Sequence, residues 1–315
     1  MTKKAIIFGI KGFYLSKDEK FLFKKFKPWG LILFSRNIKD LKQLKHLVLS
    51  IKKIFNDKNF PILIDEEGGR VSRLNKIIDF TTFSQNYFAK LYHQNKRLFF
   101  PIYKTYIDRV SELLKSVGIN INTVPVLDVR RKVTHKVIGD RSFSNNPHIV
   151  SKIGNLCINS YKKNKILNVV KHIPGHGLAK SDSHFKLPIV TASKKKLLKN
   201  DFIPFKKNTY FLAMTAHVVF SSYDSVNPAT HSKIVINEII RKHINFKGIL
   251  ISDDICMKSL QLGLKENAIK ALNSGCNLVL HCSGKINEMK KLVKVIPNID
   301  KFTQKKTSQL YKFLG

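Results

Sequence analysis

The stretch GILISDD, residues 248–254, joins a short uninterrupted apolar run to two aspartates. A run of branched aliphatic residues without alternation is typical of a strand buried on both faces, as in a parallel sheet. The same pattern recurs along the whole chain. The runs that share it are AIIFGI (5–10), LILFS (31–35), PILIDEE (61–67), INTVPVLDV (121–129), ILNVVKH (166–172), YFLAMTAH (210–217), GILISDD (248–254) and NLVLHC (277–282).

Segments with helical spacing separate these runs, for example residues 113–117 and 268–272. Eight strands alternating with helices in 315 residues predict an α/β fold, a single (β/α)8 barrel of the TIM type. An open doubly wound sheet is the alternative, but GIKGFYL after the first run is not the GxGxxG of that fold. Glycine favours the left-handed conformation that ends a helix, and it precedes the next run at Gly30, Gly118, Gly248 and Gly275.

The composition is strongly basic, with 57 Lys and Arg against 21 Asp and Glu and a formal net charge of +36. Only nine of the basic residues are arginines, and the lysines are spread along the chain without a basic tail. We interpret them as a solvated surface and expect no nucleic acid as a partner. A basic protein that binds an anionic polymer is the alternative from another class, and it predicts binding that weakens with added salt.

The cysteines and the N-terminus bear on the compartment. Cys157, Cys256, Cys276 and Cys282 fall at no disulfide-like or metal-like spacing, which predicts a reduced, cytoplasmic setting. The start, MTKKAIIFGI, has an apolar run of about six residues and no cleavage site, a poor match to a signal peptide. No segment approaches the roughly 20 apolar residues of a membrane span, so we expect no membrane partner. The oligomeric state is left open, a monomer included.

Polar residues close most of the runs, where a barrel places its catalytic groups. Buried polar groups at strand ends are costly unless they are paired or used, so their convergence predicts an active site. Arginine is rare here, yet three of the nine arginines lie inside these motifs. The residues are Asp65, Glu66, Glu67, Arg70, Arg73, Asp128, Arg141, Lys171, His172, His217, Asp253 and Asp254.

A metal hydrolase would gather similar groups. His172 and His176 have i, i+4 spacing, and a ligand shell could be completed by Asp182, His184 and Asp253. Pro174 and two glycines break the helix that would place both histidines on one face, and HExxH is absent. We therefore expect no catalytic metal and no cofactor, and we interpret His176 as a brace of its loop.

Taken together, the motifs resemble the glycoside hydrolase family 3 β-N-acetylhexosaminidases. The resemblance spans nearly the whole chain and implies one domain over residues 1–315. It implies a retaining enzyme that removes terminal N-acetylglucosamine from cell-wall muropeptides through a covalent glycosyl-enzyme. It is carried by IDEEGGRVSRL (64–74), GDRSFSNNP (139–147), KHIPGHG (171–177), DSH (182–184) and ISDDICM (251–257).

The resemblance also implies residue roles. Asp253 is the expected nucleophile, since alternation along a strand turns only one of Asp253 and Asp254 toward the barrel axis. His184 with Asp182 resembles the His–Asp dyad that serves this subfamily as general acid and base. Contacts to the N-acetylglucosaminyl saccharide are expected from Asp65, Arg73, Arg141, Lys171 and His172.

Four further positions carry weaker expectations. His217 is either a wall of the site or a hydrogen-bonded core histidine, and Asp128 anchors its loop rather than touching sugar. Arg70 pairs with a nearby acid such as Glu67. Glu66 stands where relatives often have Gln, which we interpret as a tolerable packing or surface change. A β-glucosidase or a phosphorylase-like member of the same family remains the alternative.

Overall fold

The computed structural model describes residues 3–183, 185–206 and 210–315. Within these ranges, eight of ten strands close into a parallel barrel, in the order β1-β10-β9-β7-β5-β4-β3-β2. The other two, β6 and β8, form a small separate sheet. The strands are β1 (Lys4–Gly9), β2 (Pro28–Leu33), β3 (Ile62–Ile64), β4 (Ile121–Asn122), β5 (Leu167–Ile173), β6 (Ile189–Val190), β7 (Leu212–Thr215), β8 (Val219–Phe220), β9 (Ile249–Asp254) and β10 (Leu278–His281).

Each of the eight apolar runs contributes one barrel strand, so the predicted (β/α)8 fold is confirmed. Helices fill the connections, and a π-helical segment, Val235–His243, precedes β9. No helix among the described residues is long and apolar enough to cross a membrane. The α-helices are α1 (Lys17–Phe26), α2 (Leu41–Phe55), α3 (Gln85–Gln94), α4 (Lys96–Val117), α5 (Pro147–Lys163), α6 (Lys194–Lys199), α7 (Leu264–Ser274), α8 (Ile286–Val295) and α9 (Lys301–Leu314).

Two of the four predicted glycine caps are confirmed. Gly118 ends α4 with φ 86° and Gly275 ends α7 with φ 116°. The other two glycines do not end helices. Gly30 lies inside β2, where a Cβ would come within 3.0 Å of the Pro61 carbonyl oxygen. At Gly248 a Cβ would come within 2.3 Å of the Phe211 oxygen, so both glycines permit close approach of neighbouring strands.

The fourth strand is shorter than its apolar run predicts. It pairs with β5 only over Ile121 and Asn122, and a single bridge follows between Val126 and Lys171. Pro125 has no N–H to donate to a ladder, so regular pairing stops before it. The Asn122 side chain instead bonds the Glu66 backbone at both N–H (3.1 Å) and C=O (2.9 Å), which fixes the end of β3.

The end of β9 carries an irregularity that matters for the site. Ile251 pairs with Leu278 and Asp254 pairs with Leu280, so three steps along β9 match two along β10. Such a bulge breaks the strict alternation of side chains between the two faces. Both Asp253 and Asp254 line the pocket at the barrel mouth, so alternation along the strand does not by itself separate their roles, and the choice of Asp253 stays a prediction.

Candidate active site

A pocket of about 160 Å³ opens at the carboxyl ends of the barrel strands. Its floor is apolar, with Ile32, Met214 and Leu280 contributed by three different strands. Its walls bring together residues that the motifs singled out, far apart in sequence. These are Asp65, Arg73, Arg141, Lys171, His172, His176, Asp253 and Asp254.

One wall of the pocket is formed by Asp65, Arg73, Arg141 and Lys171, and the buried Glu67 pairs with two of them without lining the pocket. We call these five residues the paired wall. Lys171 Nζ contacts Asp65 Oδ1 and lies 2.6 Å from Glu67 Oε1. Arg141 forms a two-pronged pair with Glu67, with both N–O distances 2.8 Å. Arg73 donates to Asp65 Oδ2 at 2.7 Å. Forked guanidinium pairs of this kind fix geometry as well as charge.

The pKa values of the two acids in this wall follow from their partners. Burial alone would raise the pKa of Asp65, but Lys171 and Arg73 hold it far below its usual range. Burial would likewise raise the pKa of Glu67, and Arg141 and Lys171 lower it. Both carboxylates are therefore ionised at neutral pH and can accept hydrogen bonds. The Thr123 hydroxyl already donates to Asp65 at 2.6 Å.

Asp128 organises the loop after β5. Its side chain is fully buried, and it accepts from the N–H of His172 (3.3 Å) and of His176 (2.7 Å). Its Oδ2 lies 2.7 Å from His172 Nδ1. Burial would raise the pKa of Asp128, but His172 and His176 lower it, so Nδ1 is the donor of that contact. This leaves His172 Nε2 as the ring nitrogen that is not committed to Asp128.

His176 has contacts that fit a brace. Its Nε2 lies 3.1 Å from the Ser183 hydroxyl, and burial lowers the pKa of the ring to about 4. The ring is therefore neutral at pH 7. The sharp turn of KHIPGHG places Gly177 against the preceding loop, where a Cβ would come within 2.0 Å of the Val129 carbonyl oxygen. Only glycine fits there, which explains this position of the motif.

The two aspartates of β9 end the opposite wall. Asp253 Oδ1 accepts from the Asp254 N–H at 2.8 Å, and the Thr215 hydroxyl accepts from the Asp253 N–H at 3.3 Å. Asp254 Oδ1 accepts from the N–H groups of Cys256 and Cys282, both at 3.1 Å. Asp254 thus ties together the segments that follow β9 and β10, while Asp253 stands beside it on the pocket.

His217 lies beneath these aspartates and is a hydrogen-bonded core histidine, the second of the two roles expected for it. It is fully buried, with Nδ1 2.7 Å from the Thr230 hydroxyl and Nε2 3.1 Å from the Asp254 carbonyl oxygen. Burial lowers its pKa. Both ring nitrogens are satisfied by protein groups, and His217 is absent from the pocket lining.

The loop expected to carry the proton donor is described in part. Asp182 is half-buried, and Ser183 lines the pocket and holds His176. His184, the expected general acid and base, lies outside the described residues. The dyad therefore stays a prediction from the motif.

Glu66 is fully buried, so of the two interpretations, packing and surface change, the surface one is wrong. Its carboxylate accepts from the N–H groups of Gly68 (3.2 Å), Arg73 (2.6 Å) and Leu74 (3.0 Å) and from the Ser72 hydroxyl (3.1 Å). It shapes the turn that delivers Arg73 to the paired wall. An acid next to a Gly-Gly turn was the available signal.

Arg70 does not pair with Glu67, because Arg141 and Lys171 already occupy that carboxylate. Its partner is Asp140 at 2.7 Å, and it also donates to the carbonyl oxygen of Lys136 at 2.9 Å. Arg70 thus holds the loop after β4, which carries Arg141. These contacts fit the structural role expected for Arg70, but its acidic partner is Asp140 and not Glu67.

The chain is similar to known glycosidases along most of its length. A family model described as the glycosyl hydrolase family 3 N terminal domain matches residues 10–310. A "Beta-hexosaminidase" of Haemophilus influenzae is 32% identical over 302 residues, 94% of this chain and 83% of that protein. A "Beta-hexosaminidase" of Neisseria gonorrhoeae is 33% identical over 290 residues, 90% of this chain and 79% of that protein.

Solved structures agree. NagZ from Neisseria gonorrhoeae, in complex with N-trifluoroacetyl-D-glucosamine, superposes with a TM-score of 0.85 at 29% identity, covering 98% of this chain and 90% of that one. A family 3 β-N-acetylglucosaminidase from Paenibacillus sp. str. FPU-7 gives a TM-score of 0.85 at 24% identity, over 98% of this chain and 60% of that one, and shares the fold. The predicted resemblance is confirmed, and the chain belongs to glycosyl hydrolase family 3.

Proposed function

We propose that this protein is a retaining exo-β-N-acetylglucosaminidase that removes terminal N-acetylglucosamine from peptidoglycan-derived muropeptides in the cytoplasm. The observation that carries the proposal is the pocket itself. At the mouth of one barrel, the pocket combines an ionised wall with the aspartate Asp253. In that wall, Asp65 pairs with Lys171 and Arg73. The relatives at 32–33% identity are β-hexosaminidases, and one of the solved structures holds a glucosamine derivative.

The paired wall binds the sugar hydroxyls in this mechanism. Asp65 accepts hydrogen bonds from them, and Arg73, Arg141, Lys171 and His172 donate. Because these groups already hold each other in place, little side-chain freedom is lost when the sugar binds. A pocket of about 160 Å³ suits one terminal sugar better than the middle of a chain, which supports exo action.

The chemistry is assigned to Asp253 and His184. An Asp253 carboxylate oxygen attacks the anomeric carbon while the bond from that carbon to the glycosidic oxygen breaks. His184 transfers its proton to the leaving oxygen, and Asp182 orients the ring. Water then attacks the anomeric carbon, His184 takes the water proton, and Asp253 leaves as a carboxylate.

Substrate class is tested with a matched pair, p-nitrophenyl β-N-acetylglucosaminide and p-nitrophenyl β-glucoside. We expect kcat/KM to favour the acetylated sugar by roughly 100-fold or more, because a site that hydrogen-bonds an N-acetyl group rejects a substrate lacking it. Equal rates would support the β-glucosidase alternative. A rate that rises with added phosphate, with sugar phosphate as product, would support the phosphorylase-like one.

The role of His184 is tested by His184→Ala on two leaving groups. Proton donation is worth roughly 10²–10⁴-fold, and a good leaving group needs less of it. We therefore expect a much larger loss on a natural disaccharide than on an aryl glycoside. The variant His148→Ala, which changes an exposed histidine of α5, is the control. An equal loss on both substrates would contradict a general-acid role.

A further inference from the structure

A second cluster of reactive side chains lies behind Asp254, outside the pocket. Cys256 follows β9, His281 ends β10, and Glu288 lies in the first turn of α8. One sulfur, nitrogen or oxygen atom of each of these side chains lies within 4.8 Å of the other two. His281 is fully buried, and its Nδ1 has no hydrogen-bond partner among the described residues.

We propose that Cys256, His281 and Glu288 bind a divalent cation of the zinc class. The donor set is one sulfur, one imidazole nitrogen and one carboxylate oxygen, which is a combination that Zn²⁺ takes and that Mg²⁺ and Ca²⁺ do not. A thiolate and a carboxylate together cancel the charge of the ion. This proposal is independent of the proposed function.

The geometry requires a small rearrangement. Bonds of about 2.0–2.3 Å place tetrahedral ligand atoms roughly 3.3–3.8 Å apart. The ligand atoms lie within 4.8 Å of one another, so the widest separation closes by at most about 1 Å, whereas the His281 and Glu288 side chains move slightly apart. Two contacts compete with the ion. His281 Nε2 lies 2.9 Å from Glu288 Oε2, and Lys285 Nζ lies 3.4 Å from Glu288 Oε1. The ion replaces the first contact with bonds from both groups.

A fourth ligand and an entry path are present. The Ser283 hydroxyl lies 2.6 Å from Glu288 Oε2 and 3.2 Å from His281 Nε2, so it or a water can complete the shell. A surface cleft of about 560 Å³ is lined by Ser283, Glu288 and neighbouring residues. The Glu288 side chain is 29% exposed, so it connects the buried histidine to solvent.

Binding would brace the barrel mouth. The N–H groups of Cys256 and Cys282 both hold Asp254 Oδ1, so an ion on Cys256 and His281 joins the two segments that position this aspartate. An ion that binds only the folded chain stabilises it by RT ln(1 + [L]/Kd), where [L] is the concentration of the free ion. We therefore expect the thermal unfolding temperature to rise with Zn²⁺ and not with Mg²⁺ or Ca²⁺.

The test is a titration of the full metal-free chain with Zn²⁺ and with Co²⁺. We expect one ion per chain and, with Co²⁺, the near-ultraviolet absorption of a cobalt–thiolate bond. Cys256→Ser should abolish that absorption, and Glu288→Gln should raise Kd at least about tenfold. Cys157→Ser, at a buried cysteine of α5 outside the cluster, should keep both the affinity and the absorption.

Several results would overturn the proposal. They are no binding at micromolar Zn²⁺, Zn²⁺ bound with unchanged affinity in both variants, and a cobalt–thiolate band that survives in Cys256→Ser. The second result would place the ion elsewhere, for example in the pocket. Because Glu288 is partly exposed on α8, its variant keeps the test decisive even where Cys256→Ser does not fold.

Discussion

The two walls of the pocket hold their acids in different ways. In the paired wall, Asp65 and Glu67 are met by Lys171 and two arginines, and their pKa values are held down. At the end of β9, Asp254 Oδ1 and Asp253 Oδ1 accept from backbone N–H groups. Opposite charges fix the acids of the paired wall, whereas backbone N–H groups contribute to the placement of the two aspartates of β9. In the proposed function, the paired wall binds the sugar and Asp253 reacts with it.

The largest effect is expected at the β9 wall. Asp253→Ala should lower kcat by about 10⁴-fold or more, because loss of a nucleophile removes the covalent route. Asp254→Asn retains an oxygen for the N–H groups of Cys256 and Cys282, so we expect a far smaller loss. Steady-state kinetics on the aryl N-acetylglucosaminide, with circular dichroism to check folding, provide the measurement. A reversed order of the two losses would transfer the role to Asp254.

A smaller effect is expected from breaking the paired wall. Lys171→Met keeps the length of the side chain but leaves Asp65 and Glu67 short of one buried cation. Breaking such a buried pair costs about 3–5 kcal/mol of the free energy of unfolding. Urea denaturation would measure it, with Lys163→Met at the exposed end of α5 as the control, expected within about 0.5 kcal/mol. Equal stability of both variants would show that the wall is not held by charge.

The smallest effect is expected behind that wall, at Glu66. Burial raises the pKa of Glu66 to about 7 from 4.5 in spite of its hydrogen bonds. Below pH 4.5 the raised pKa does not change the free energy of unfolding, because Glu66 is protonated in both the folded and the unfolded chain. Between pH 4.5 and 7 it lowers the free energy of unfolding progressively, by about 3 kcal/mol at most. The wild type should therefore lose stability relative to Glu66→Gln as pH rises from 5 to about 7.

Denaturant unfolding of both proteins across that pH range measures the slope. Glu112→Gln, which removes an exposed carboxylate of α4, controls for the loss of one charge. Parallel curves for the wild type and Glu66→Gln would mean that burial does not raise the pKa of Glu66 in the folded protein.

Much of the fold and site could be predicted from the chain alone. Strands buried on both faces must be apolar throughout, so eight such runs in one chain indicated the barrel. The polar residues that end them mark the barrel mouth, and Asp65, Arg73, Arg141, Lys171, His172 and Asp253 do meet there. The sequence did not predict the left-handed conformation of Lys27 (φ 48°), which caps the C-terminus of α1, or that of Asn245 (φ 62°). Residues other than glycine adopt this conformation only occasionally.

The sequence by itself determined the eight strands, the family and the set of titratable groups at the mouth, because periodicity and local motifs encode these. Only the tertiary structure decided which side chains contact each other. The register shift in β9 accompanies two neighbouring aspartates that both line the pocket, and close packing buried Glu66 and His217. It also joined Cys256 to His281 and Glu288 across two strands and a helix, at spacings that no linear motif shows. Contacts between distant segments depend on register and packing, which arise only when the barrel closes.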